Sequence, residues 1–132
     1  MSWRTLDPTA IRSALPEPGE HQAAIVAAGL IDKPDTLWLQ VTVGLRDHAE
    51  ELKQLLCIAA APESPHRHRV AEGLRSLNRL LAATGRSLKK LSPEAVPPTL
   101  IGARLTATVA VKETDGIPEL VLKGVTPARE GE

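Results

Sequence analysis

Between Arg67 and Lys90 the sequence places seven basic side chains, Arg67, Arg69, Arg75, Arg79, Arg86, Lys89 and Lys90, against one acid, Glu72. Such a segment attracts phosphates by counterion release, without reading base sequence. Arg75 and Arg79 fall opposite a stripe of Val70, Leu74, Leu77 and Leu81. The same pattern therefore also describes the solvated face of an amphipathic helix. Trp38 is the second candidate, sharing a strand face with Gln40 and Thr42 and opposing Leu37, Leu39 and Val41. Exposed, it would stack a base, a contact of about 1–3 kcal/mol. Covered by the long helix, it would be a core anchor. Arg46, Arg104 and Lys112 complete the phosphate-holding set, the last two flanking a groove from the fourth strand.

Catalytic and metal chemistry find no pattern. His48, His66, His68 and Cys57 do not come in the tight pairs that structural zinc needs from four ligands, and His66-x-His68 reads as a polar turn. Neither Gly-x-x-x-x-Gly-Lys-Ser/Thr nor Gly-x-Ser-x-Gly occurs. Glu50 and Glu51 are adjacent, whereas an acid–base pair must be held across a substrate. Cys57 lies among apolar residues and reads as a small buried hydrophobe. The expectation is a protein without catalysis, cofactor or metal.

Composition sets the limits on these readings. The 132 residues carry 16 Lys+Arg and 16 Asp+Glu, so a polycation that coats nucleic acid is excluded. Neutrality nevertheless conceals a basic segment offset by an acidic remainder. Hydrophobic residues make up 42%, yet there are two Trp, no Tyr and no Phe. The core must be Leu, Val, Ile and Ala, and the stacking platform of a tight single-strand binder is missing, so binding should be weak and steeply salt-dependent. Trp3 lies in the N-terminal lead-in and adds little. One cysteine fits a reducing compartment. With no apolar leader core and no run long enough to span a bilayer, the expected location is cytoplasmic.

The elements that must position these residues follow from punctuation and period. Asp7-Pro8 opens a short helix through about Leu15, within a proline-rich lead-in of residues 1–18. A domain over 19–126 follows, with a flexible tail at 127–132. His21 to Ala28 reads as a first strand, and Thr36 to Val43, with its alternation, as a second. Leu52 to Ala60 reads as a third strand, although its Leu pair and alanines also suit a helix. Ser64-Pro65 is a cap-and-first-turn signal for a long helix ending at Gly85. Ser92 to Pro98 reads as a loop. Leu105, Ala107, Val109 and Val111 mark a fourth strand, Thr114-Asp115-Gly116 a hairpin turn, and Leu120 to Val125 the returning strand. The class is mainly β with α. A long helix between strands three and four is the order of an OB-like, five-stranded, partly open barrel. A sheet covered on one face by the helix is the alternative.

Four segments carry a resemblance: Pro18-Gly19-Glu20-His21-Gln22-Ala23, Trp38-Leu39-Gln40-Val41-Thr42-Val43, Leu80-Leu81-Ala82-Ala83-Thr84-Gly85 and Leu100-Ile101-Gly102-Ala103-Arg104-Leu105. From about Pro18 to Pro127 the chain resembles a family of small phage- and prophage-associated proteins, encoded near recombination and replication genes and regarded as OB-like single-stranded DNA binders. It departs from them in lacking strand aromatics and in having Leu45-Arg46-Asp47-His48 where a Gly-Lys-Gly-Arg-like turn stands. The resemblance implies a non-enzymatic module contacting single-stranded nucleic acid in phage-type replication or recombination. The alternative is an assembly or adaptor domain that binds a protein partner or itself, through alanine-rich strands such as Ala23/Ala24/Ala27/Ala28.

Overall fold

The computed structural model describes residues 15–46, 48–85 and 92–128. All but Leu15 of the expected helix over 7–15, most of the C-terminal tail, and Arg86, Lys89 and Lys90 lie outside them. Among the described residues, five strands form a single sheet: β1 (Gly19–Asp32), β2 (Thr36–Leu45), β3 (Glu51–Ala60), β4 (Arg104–Thr114) and β5 (Ile117–Pro127). Every pairing is antiparallel, in the order β3-β2-β1-β4-β5, and the sheet is not closed. Between β3 and β4 run a 3₁₀ turn (Arg67–Arg69), helix α1 (Val70–Ala83), a second 3₁₀ turn (Pro93–Ala95) and the short helix α2 (Val96–Leu100).

β1 is longer than the apolar run His21 to Ala28 suggests, because it serves two partners. Its first half, Gly19 to Ala24, pairs with β4, while Ala23 to Asp32 pairs with β2. The register against β2 shifts between Ile25 and Ala27, an irregularity of the kind that bends a strand from one neighbour toward another. On β2, alternation delivers Leu39, Val41 and Val43 to the core at 0% exposure. Leu105, Ala107 and Val109 do the same from β4. β3 is a strand rather than a helix, settled by its pairing with β2 along its whole length.

α1 begins later than its sequence signal. Ser64 Oγ does accept from the His66 amide at 3.1 Å, but it also donates to Asp35 Oδ2 at 2.8 Å, tying this loop to the β1–β2 turn. The α-helix proper starts at Val70, and Leu77, Leu80 and Leu81 drive into the core. α1 packs against β3 and β5, the two edges of the sheet. The approach at Gly73 is very close: an added Cβ would stand 1.9 Å from the Cys57 carbonyl oxygen. Gly85 ends the helix with φ of +75°, which glycine adopts without a Cβ clash.

The Ser92–Pro98 segment corrects a loop expectation. Pro93 opens the 3₁₀ turn and Pro97 sits in the first turn of α2, positions where a missing N–H costs nothing. The hairpin turn stands as read: Asp115 and Gly116 both take positive φ, at 53° and 79°, the signature of a turn that follows sheet twist.

Candidate functional site

Of the expected binding residues that are described, all but Lys112 divide between two regions at opposite ends of β2. At its start, Thr36, Trp38 and the loop after β3 come together. Trp38 is 9% exposed, and its indole N–H donates to Thr36 Oγ1 at 2.7 Å. Its ring meets His66 edge-on with centroids 6.2 Å apart, and Lys33 Nζ stands 6.0 Å from the ring centre. Ala61 N–H donates to Asp35 O, so the chain after β3 is folded back toward the start of β2. The stacking role is therefore corrected: an indole this enclosed offers no open face to a base. Its neighbour is the His66 loop, at the point where β3 also runs under α1 through Cys57, the register partner of Trp38.

The cations beside it are accessible. Arg67 and Arg69 on the 3₁₀ turn and Arg75 and Arg79 on α1 are all exposed, with Glu72 the one acid among them. Arg67 Nη1 reaches the Pro62 carbonyl at 3.5 Å, too long for a firm anchor. This face keeps its charge in water because the other side of α1 is turned to the core, with Leu77, Leu80 and Leu81 buried and Leu74 half-buried against it.

Arg46 and Arg104 stand elsewhere, at the far end of β2, roughly 20 Å from Trp38 by strand rise. They line one cleft of about 580 Å³ together with Gln22, Ala24, Val26, Gly44, His48 and Glu51. Arg46 is fixed there twice, by its backbone N–H donating to Gln22 O at 2.8 Å and by Nη1 donating to Gln22 Oε1. His48 packs edge-on against His21 at 5.4 Å. Lys112 belongs to neither region: it is exposed near the β4–β5 turn, in register with Glu119.

Gln22, Ala24 and Gly44 carry no mark of a site in the sequence, and Glu51 shows there only as half of an adjacent carboxylate pair. Nothing local points them at one another, because the cleft is created by the register of four strands. Among the described residues no group of three or more His, Cys, Asp or Glu side chains could hold a metal ion. Among them also, no helix is long and apolar enough to cross a membrane. No protein-family model and no curated protein matches this chain.

Proposed function

We propose that the chain is a non-enzymatic OB-like module that holds single-stranded nucleic acid weakly, by its phosphates, in phage-type replication or recombination in the cytoplasm. The strand order β3-β2-β1-β4-β5, with β1 shared between β2 and β4 and a helix between β3 and β4, supports the OB-like reading. The observation that carries the binding reading is the exposure of Arg67, Arg69, Arg75 and Arg79 on one continuous turn and helix beside a single carboxylate. Four such cations in water engage phosphates through counterion release, which confers no base preference. With Trp38 enclosed, stacking adds nothing on this face, so affinity rests on charge alone.

A labelled oligonucleotide titrated at low and high salt tests this. Binding should be detectable at low salt and should fall steeply as salt rises. Absence of binding at low salt, or affinity indifferent to salt, overturns it. A second reading, assembly through protein contact, draws on Leu55, half exposed on edge strand β3. Light scattering separates the two: a defined oligomer that ignores oligonucleotide favours assembly.

A further inference from the structure

The cleft at the Arg104 end has an internal order that its lining alone does not convey. Glu51 is in register with Gly44, Gly44 with Ala24, and Ala24 with Arg104. Register partners in an antiparallel sheet share a face, so these four residues form one row across β3, β2, β1 and β4. A carboxylate stands at one end and a guanidinium at the other, with three strand spacings, roughly 14 Å, between their backbones. The two middle positions carry no side chain and a methyl group. Val26, 49% exposed, leans over the same floor, since a Cβ on Gly44 would lie 2.9 Å from Val26 Cγ1. Arg46, held by Gln22 two residues along β1 from Ala24, adds a second cation to the same cleft.

We propose that this cleft is a mononucleotide site, selective for bases that carry an exocyclic amine. A fitting ligand needs an anion for Arg104 and Arg46, a flat body over Ala24, Gly44 and Val26, and a hydrogen-bond donor for Glu51. A nucleotide of cytosine or adenine has all three, because its phosphate sits on the sugar at one end and its exocyclic amine on the planar base at the other. A free amino acid holds carboxylate and ammonium on one carbon, too close together to reach both ends of the row. Thymine presents a carbonyl oxygen where cytosine presents its amine, and a carboxylate repels it. The cleft volume of about 580 Å³ lies within the range of small-molecule sites. This assignment goes beyond the strand-binding reading of α1 and does not depend on it, since a mononucleotide has no use for the helix face.

The test is an amide-shift titration of the full chain with dCMP, dTMP and inorganic phosphate at low salt. The expected result is that dCMP shifts Ala24, Gly44, Glu51 and Arg104 and binds about fivefold or more tighter than dTMP. Glu51→Ala should erase that preference, lowering the dCMP affinity and raising the dTMP affinity until the two coincide. Arg104→Gln should weaken both nucleotides about tenfold. The double variant Arg75→Gln/Arg79→Gln should leave the dCMP titration unaltered, whatever it does to oligonucleotides. Equal affinity for the two nucleotides, shifts confined to other regions, or no shift with any of the three probes overturns the proposal. A melting temperature matching the parent's shows that each variant still folds.

Discussion

At Gly73 the backbone of α1 comes so near β3 that no side chain fits between them. The Cys57 carbonyl oxygen would stand 1.9 Å from any Cβ placed there, and it cannot retreat without breaking the ladder to β2. Helix propensity favours alanine over glycine by about 1 kcal/mol. Steric overlap wins here: Gly73→Ala should destabilise the fold by roughly 3 kcal/mol, seen as a lower denaturant midpoint at unchanged slope. Trp38 poses a different residue-scale question. Its indole N–H is the partner of Thr36 Oγ1, and both residues are buried. Trp38→Phe should cost about 2 kcal/mol, from a stranded hydroxyl and lost packing. In a Trp3→Phe background, Trp38 emission should resist acrylamide quenching and should not change when oligonucleotide is added. A strong quench on binding would restore the stacking role.

On the scale of elements, α1 has two working faces. Leu77, Leu80 and Leu81 are buried at 2%, 1% and 0% exposure, while Arg75 and Arg79 stand in water. Replacing the two arginines with glutamine removes charge without touching the core, so stability should change by less than about 0.5 kcal/mol. If both contact phosphates of a single strand, the logarithmic salt dependence of oligonucleotide binding should become shallower by about 1.4. The elements also show what was legible beforehand. Alternation on β2 and β4 is a local record of a half-buried sheet, and Asp115-Gly116 records a turn that demands positive φ. Ser64-Pro65 misled because a serine hydroxyl serves whichever partner the fold brings, and here Asp35 shares it. The prolines of Ser92–Pro98 misled because they forbid a helix interior but not its first turn.

For the whole molecule the decisive feature is an unclosed sheet whose two edges both meet α1. Leu81, fully buried on that helix, should therefore govern both edges at once. Leu81→Ala is expected to cost about 3 kcal/mol. Native-state hydrogen exchange should then speed up in β3 and β5 together, while the centres of β1 and β2 stay slowest. Acceleration confined to α1 would show that the helix only rests on the sheet. The neutral total charge has a related consequence at this scale. Long-range attraction of an anionic partner should be weak, and association should depend on the local α1 cluster and be screened within about 10 Å at 0.1 M salt.

By itself the sequence determined the β-rich class, the long amphipathic helix, the hairpin turn and the basic segment beginning at Arg67, because each is written in residues close together along the chain. Tertiary structure alone decided that Trp38 is enclosed, since strand alternation assigns a face but cannot say what folds back over it. It alone joined Arg46 to Arg104 and set Glu51, Gly44, Ala24 and Arg104 in one row. That row depends on which strands pair and in what register, and a shift of one residue would send all its side chains to the other face. The neutral, aromatic-poor composition permitted a charge-driven site; strand register determined where opposite charges would face each other across a bare floor.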